Sequence, residues 1–468
     1  MLRSLILTGV LCLTAVAPKA EAPAPVPSDA KIRAMLVDRI DTRQQGVGIV
    51  VGVIGAEGRR IVPYGRFDRD NPRVPDGDTV FEIGSVTKVF TALLLAEMAR
   101  QGEVALGDPV SKYLPAGVRV PERGRAITLA DLSTHISGLP RMPTNFAPRD
   151  PRDPYADYTP GQLYDFLSGY RLPRDVGAEV EYSNVGVGLL GQALAHRAGV
   201  DYETLVRTRI IAPLGLHSTA ITLPPELQAR LATGHNAGLE AVPNWTMPTL
   251  AGAGALRSTA NDLLTFLGMA MGYDDSPLRP AMDDMLAVRR STGRPGDEVV
   301  LGWSVMRRGD DELVWHNGGT GGYNAFVGFL RKARIGVVVL SNTAPDIGGT
   351  EMGVADIGLH LLDPALPLSS PPKPHHQVAV DPALFDAYVG RYQLAPGVIL
   401  TVWRDGNRLL TQASGEKEVV EIFPESEKDF FVKLFDGQIT FEVDGSGRAV
   451  GLILHRSGRD QRAERIAH

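Results

Sequence analysis

Cysteine is all but missing from this chain. Its 468 residues include one, Cys12, inside an apolar run near the N-terminus. If that run is removed, the mature protein can form no disulfide, thiol nucleophile or thiolate metal site. An excess of positive charge is also lacking. The net charge is −6, and no basic run is dense enough to track a phosphate backbone, so nucleic acid is not expected as a partner. Past the N-terminal run, no stretch is apolar enough to span a bilayer. H-E-x-x-H and G-x-S-x-G are absent as well. His375-His376 has no third ligand in register, so solvated residues are expected there and neither metal nor cofactor is predicted.

What is present is an ordinary globular balance, 44% hydrophobic and 22% charged, enough for a large core. Arg3 followed by the apolar run Leu5 to Ala17 reads as an export signal over residues 1–22, too short to cross a bilayer as a helix. Most A-x-A-like cuts would leave proline at the new N-terminus, so the cleavage point is unassigned and an uncleaved anchor is the alternative. Leu11 before Cys12 is a poor lipidation context. The expected location is periplasmic or secreted, with no stable membrane span once the signal is gone.

Ala30 to Arg39 reads as an amphipathic helix, and Gly46 to Ile54 as a strand pairing with Ile61 to Tyr64. Ser85 to Arg100 predicts a helix apolar on nearly every face, hence buried, with Gly102 placed to cap it. Residues 126–224 are helical and loop-rich. Val299–Met306, Glu312–His316, Tyr323–Leu330 and Ile335–Ser341 read as successive strands, and Gly348–Leu362 as helix. Strands at both ends of this region imply one sheet closed between distant segments. Five prolines between Pro364 and Pro374 mark a semi-rigid linker. From Asp381 onward, seven or eight short strands with Asp405-Gly406 and Asp444-Gly445 turns suggest a small up-and-down barrel or sandwich. The expected units are residues 28–363, a linker over 364–380, and a C-terminal domain over 381–468.

The pattern S-x-x-K occurs four times, at Ser28/Lys31, Ser85/Lys88, Ser370/Lys373 and Ser414/Lys417. Leader, linker and hairpin contexts remove three. Ser85 alone opens a long buried helix, where positions i and i+3 share a face and the helix N-terminus favours an oxyanion. A serine needs a base, and a lysine serves as one only if burial holds it neutral. Tyr182 and Asn184, before another apolar run, can offer a phenol for proton transfer and an amide for a substrate carbonyl; taken alone they read equally as a core tyrosine before a helix cap. His316-Asn317-Gly318-Gly319-Thr320-Gly321-Gly322 places four glycines at a strand end, where backbone can approach a ligand closely. The N–H of Gly319 can complete an oxyanion hole with that of Ser85. No G-K-[ST] follows, so this is not a phosphate loop. His135 reads as a structural hydrogen-bonding residue.

Ser85-x-x-Lys88, Tyr182-x-Asn184 and His316-x-Gly318, in that order, resemble the serine β-lactamase-like, penicillin-recognising hydrolases. This group includes class C β-lactamases, D-aminopeptidases, DD-peptidases and β-lactamase-fold esterases. Leu132 to Pro140, Pro213 to Leu216 and Gly254 to Leu263 add secondary matches, and the resemblance covers about Ile32 to Leu362. It implies an α/β (α+β), β-lactamase/transpeptidase-like fold with an antiparallel sheet and a helical subdomain. It also implies Ser85 as nucleophile, Lys88 and Tyr182 as the base system, and Asn184, His316 and Gly318 on the substrate. Where lactamases carry Lys-Thr-Gly, this chain has His316-Asn317-Gly318. A histidine with an ordinary pKa of about 6.5 anchors an anion poorly at pH 7, and the variant is more similar to the D-aminopeptidases and esterases. Tyr388 to Tyr392 resembles the start of the lipocalin-like barrel attached to several such peptidases, which suggests a route to oligomers.

The expected function is therefore an exported serine hydrolase acting on small-molecule or short peptide amides or esters through acyl-Ser85. The alternatives are a class C-like β-lactamase or DD-carboxypeptidase, and, least favoured, a non-catalytic scaffold of the same fold.

Overall fold

The computed structural model describes residues 26–345, 353–369, 375–395, 398–414, 419–432, 437–456 and 459–466. The proposed leader, Ser370/Lys373 and Lys417 lie outside the described residues.

The strands are, in chain order, β1 (Gly48–Gly55), β2 (Gly58–Gly65), β3 (Phe81–Glu82), β4 (Arg257–Ser258), β5 (Arg290–Ser291), β6 (Asp297–Val300), β7 (Trp303–Arg308), β8 (Asp311–Gly319), β9 (Asn324–Leu330) and β10 (Ile335–Ser341). Eight form one antiparallel sheet in the order β2-β1-β10-β9-β8-β7-β6-β5, while β3 and β4 pair separately. The closure between distant segments is thus real: β1 lies against β10, with Ile49 opposite Ser341 and Ile54 opposite Gly336.

Both faces of this sheet are covered, and strand alternation explains how. Ile49, Val51 and Val53 of β1 join Val337 and Val339 of β10 in a core with Ile32, Leu36, Ile357 and Leu361. Those partners come from the helices Asp29–Val37 and Ala355–Leu362. Val50, Ile54, Val338 and Leu340 point the other way, into the larger core shared with Phe90, Leu264 and Phe266. The structure is a helix–sheet–helix sandwich with a helical lobe on its larger-core side.

One strand expectation needs correction. Val299–Met306 is not continuous but a hairpin, β6–β7, turning at Leu301-Gly302. Gly302 has φ +72°, and a Cβ there would stand 2.6 Å from that of Ala92, so a side chain is excluded by both conformation and space. The helix expected over Gly348–Leu362 is described from Ala355; residues 346–352 are outside the described set.

Leu366 and Leu368 pack on the smaller core. Asp356 accepts from the Ser369 N–H at 2.8 Å, and Arg43 Nη1 donates to the Ser369 carbonyl at 2.5 Å. From Gly390, eight strands, β11 (Gly390–Ala395), β12 (Val398–Asp405), β13 (Arg408–Ala413), β14 (Val420–Pro424), β15 (Asp429–Val432), β16 (Gly437–Val443), β17 (Ala449–Arg456) and β18 (Arg459–Ile466), form a closed barrel. Closure runs through β11 and β18, with Tyr392 opposite Arg465. Tyr392, Phe430 and Phe441 fill its interior, and the Tyr388 and Phe441 rings stack at 4.3 Å. His375 departs from the solvated reading: its ring stacks on Phe431 at 4.8 Å and meets Glu425 at 3.1 Å. No helix among the described residues is long and apolar enough to cross a membrane.

Candidate active site

Ser85 sits in a short turn, Gly84–Val86, wound as 3-10 helix before the α-helix Thr87–Arg100 begins. Eleven of that helix's fourteen residues are buried, as its all-round apolar sequence requires. The turn is held from two sides. Ile83 N–H donates to the Leu256 carbonyl at 3.1 Å, and Thr87 Oγ1 accepts from the Leu256 N–H at 3.1 Å. Gly84 adopts φ +49°, a conformation glycine takes without steric cost.

Lys88 is the second residue of this helix and has no solvent exposure. Its Nζ is 2.9 Å from Ser85 Oγ, 2.8 Å from Asn184 Oδ1 and 2.7 Å from the Ala253 carbonyl. Among the described residues it has no carboxylate partner. Burial, reinforced by the positive charge of Arg141, holds its pKa well below the usual lysine value. A neutral amine has two N–H donors and one lone pair. Asn184 Oδ1 and the Ala253 carbonyl can only accept, so they take the donors and leave the lone pair for the Ser85 hydroxyl.

Asn184 is the first residue of the helix Asn184–Ala198, whose N-cap is Ser183. Ser183 Oγ accepts from Gly186 N–H at 2.9 Å and donates to the Pro140 carbonyl at 2.7 Å. His135 Nδ1 accepts from the Ser183 N–H at 3.2 Å, and its ring supports Tyr182 at 4.6 Å. His135 is buried, and burial, followed by the nearby Lys88 and His316, pushes its pKa far down, which suits a neutral structural acceptor. Lys88 Nζ lies 4.8 Å from the Tyr182 ring centroid.

The glycine-rich strand end closes the site. His316 is buried, with its ring 6.3 Å from that of Tyr182. Its Nδ1 donates to the Asn317 carbonyl at 2.6 Å, leaving Nε2 as the acceptor. Burial first, then the charge of Lys88, lowers its pKa to about 3. This is far beyond the ordinary-histidine expectation: His316 is neutral throughout the physiological range. Gly318 and Gly319 press on the Ser85 turn. A Cβ on Gly318 would lie 2.0 Å from the Ile83 carbonyl oxygen and 2.9 Å from the Ser85 nitrogen; one on Gly84 would lie 2.7 Å from the Gly319 nitrogen.

All seven residues singled out in the sequence, Ser85, Lys88, Tyr182, Asn184, His316, Gly318 and Gly319, therefore meet in one place. Three participants escaped sequence reasoning. Ala253 supplies a carbonyl, Arg141 a guanidinium 5.3 Å from the Tyr182 ring, and Met142 a sulfur 3.6 Å from Asn184 Nδ2. Two of these flank secondary matching stretches, since Arg141 directly follows Leu132–Pro140 and Ala253 directly precedes Gly254–Leu263. Those boundaries were the available signal. Behind the turn, Glu82 Oε1 accepts from Arg257 at 3.0 Å and from the Trp245 N–H at 3.0 Å. Burial raises the Glu82 pKa against the opposing pull of Arg257.

An antiparallel sheet between helical layers, with a serine and a buried lysine at the mouth of its central helix, defines a serine-hydrolase class. Comparison with known proteins agrees. Residues 33–359 match the family described as Beta-lactamase, and residues 374–465 match a domain of unknown function, DUF3471. The chain belongs to the β-lactamase family. It is 30% identical over 363 residues to the D-alanyl-D-alanine-carboxypeptidase/endopeptidase AmpH of Escherichia coli, covering 74% of this chain and 92% of that one. Penicillin-binding protein 4* of Bacillus subtilis is 26% identical and spans 88% of this chain and 94% of its own. Among solved structures, a β-lactamase/D-alanine carboxypeptidase from Yersinia pestis complexed with citrate superposes with TM-score 0.61 at 27% identity, over 72% of this chain and 99% of that chain. An octameric penicillin-binding protein homologue from Pyrococcus abyssi shares the fold over 93% of this chain and 99% of its own, with TM-score 0.61 at 22% identity.

Proposed function

We propose that this chain is an exported serine hydrolase that cleaves small amide, peptide or ester substrates through an acyl-serine intermediate on Ser85. The carrying observation is the fully buried Lys88 amine, 2.9 Å from Ser85 Oγ and without a carboxylate partner among the described residues. In this reading the neutral amine takes the Ser85 proton as Oγ attacks the substrate carbonyl carbon. The resulting oxyanion is received by the N–H groups of Ser85 and Gly319. Lys88 and Tyr182 then pass the proton to the departing nitrogen or oxygen as the scissile bond breaks. Water, deprotonated by the same pair, attacks the acyl-enzyme, and the proton returns to Ser85 Oγ as the acid is released. Asn184 orients Lys88 through Oδ1 and offers Nδ2 to the substrate.

Neutral His316 supports a peptidase or esterase over a lactamase, since it carries no charge for the carboxylate next to a β-lactam ring. The names of the relatives favour a D-alanyl carboxypeptidase as the second reading. The sequence signal supports export, with residues 28–363 as the hydrolase unit and 381–468 as a lipocalin-like appendage.

Ser85→Ala tests the mechanism. Turnover of D- and L-amino-acid anilides, short acyl esters and a chromogenic cephalosporin is expected to fall by about 10^4 or more, and labelling by a serine-directed phosphonate is expected to vanish. Labelling that persists in the variant would sink the assignment; the preferred substrate in the panel separates peptidase, esterase and lactamase.

A further inference from the structure

Past Cys12 in the N-terminal apolar run, every sulfur of this chain is a methionine thioether. Among the described methionines, only Met35, Met142 and Met306 keep partial exposure. Met35 and Met306 pack on the smaller core. Met142 stands at the active site.

Two donors converge on its sulfur. Asn184 Nδ2 and the Tyr155 hydroxyl each donate to Met142 Sδ at 3.6 Å. Burial raises the Tyr155 pKa, so the phenol stays protonated as a donor. The same Asn184 side chain holds Lys88 Nζ through Oδ1 at 2.8 Å. The main chain beside Met142 is fixed as well. The carbonyl of Arg141 accepts from the Asn184 and Val185 N–H groups at 3.0 and 3.3 Å, and Pro143 follows Met142. A thioether is a weak acceptor. Two good donors thus point at a place where an oxygen would satisfy them better than sulfur does.

We propose that Met142 is an oxidation site that controls this cleft, with hydrogen peroxide as the oxidant. The sulfur lone pair takes one peroxide oxygen, the O–O bond breaks, and the other oxygen leaves as water with both protons. The thioether is oxidised to a sulfoxide as the peroxide is reduced. The sulfoxide oxygen, a far stronger acceptor, then takes the hydrogen bonds of Asn184 Nδ2 and Tyr155. Asn184 Nδ2 is thereby withheld from substrate, and turnover falls. A methionine sulfoxide reductase reverses the change: the oxygen leaves as water while a dithiol is oxidised to its disulfide. The effect on turnover rests on the acyl-Ser85 reading; formation of the sulfoxide does not.

The full chain and its Met142→Leu variant are treated with hydrogen peroxide, and peptide mass spectrometry follows oxygen gain at Met35, Met142 and Met306. In the parent, kcat/KM on the best substrate of the hydrolysis panel is expected to fall on the order of tenfold. The loss should track sulfoxide at Met142 and not at Met35 or Met306. Reductases for both sulfoxide epimers, with dithiothreitol, should restore it. Each protein is compared with its own untreated rate, and Met142→Leu is expected to stay within about twofold. Three results overturn the proposal: an unchanged kcat/KM with Met142 fully oxidised, a Met142 that stays a thioether while Met35 and Met306 oxidise, and an equal loss in Met142→Leu. The reductase arm needs only the parent, so it decides the question if the leucine variant does not fold. A thermal transition that falls in step with activity would mean unfolding and would also overturn it. Phosphonate labelling of Ser85 in the untreated parent is scored first. Its failure would remove the acyl-enzyme reading and the turnover claim with it, a result distinct from a Met142 sulfoxide without effect.

Discussion

Lys88, His135 and His316 are three basic side chains packed where ordinary bases would be charged, and each is held down chiefly by burial. This has a consequence for stability. In the unfolded chain His316 titrates at about 6.5, whereas in the fold its value is about 3. Between those values the unfolded state binds a proton that the folded state excludes, so stability declines as pH falls through this window and the loss is complete below it. Above about pH 6.5 the term disappears. His316→Gln removes one such group, and its acid-unfolding midpoint is expected about half a pH unit or more below that of the parent. Circular dichroism across an acid titration measures it; a midpoint that does not move would mean that the imidazole titrates freely in the fold. The Ser85–Lys88 pair was readable as a pattern, but the pattern recurs four times. What distinguishes it physically is the acceptor set around Nζ, and one member, the Ala253 carbonyl, has no side-chain signature at all.

At the scale of elements, the decisive contact is backbone against backbone, between the Ser85 turn and the end of β8. Gly318→Ala would place a methyl group 2.0 Å from the Ile83 carbonyl, where only main-chain movement can relieve it. The expected result is a stability loss of about 1–3 kcal/mol together with loss of phosphonate reactivity, read by thermal melting and labelling rates. An alanine variant that labels at the parental rate would show that this approach is not needed for an oxyanion hole. Legibility follows the same divide. The buried helix, the alternating strands and the glycine-rich end were readable because periodicity and composition are local properties. The β6–β7 hairpin was not: Val299 to Met306 is apolar enough to pass for one strand, and the turn at Gly302 is enforced by Ala92, more than two hundred positions earlier. His375 failed for the same reason, since its stacking partner Phe431 lies far along the chain on β15. Arg141 was hidden because an exposed arginine in a loop carries no pattern.

Over the whole molecule, the ends of the hydrolase region are bound together by charge as well as by strands. Arg39 and Asp356, 317 positions apart, form a buried pair at 2.5 Å, and the same carboxylate receives the Ser369 N–H at 2.8 Å. Removing one partner leaves the other charged in an apolar setting, at a cost of about 3–5 kcal/mol. Asp356→Ala is accordingly expected to lower the melting temperature by several degrees, with the Ser85 labelling rate at room temperature changed far less than in Gly318→Ala. An unaltered melting temperature would show that the pair contributes nothing to holding the N-terminal helix on the sheet.

The pairing of β1 with β10 also sets an order of events during synthesis. Val47 and Thr343, hydrogen-bonded at 3.0 Å, are 296 positions apart, so the sheet can close only after nearly the whole hydrolase region has left the ribosome. The nascent chain carries the serine and its lysine for most of that time without the strand end that completes their site. Contacts of such long range form slowly, so on the acyl-Ser85 reading their lateness amounts to a built-in delay, with reactivity expected only as the fold is finished.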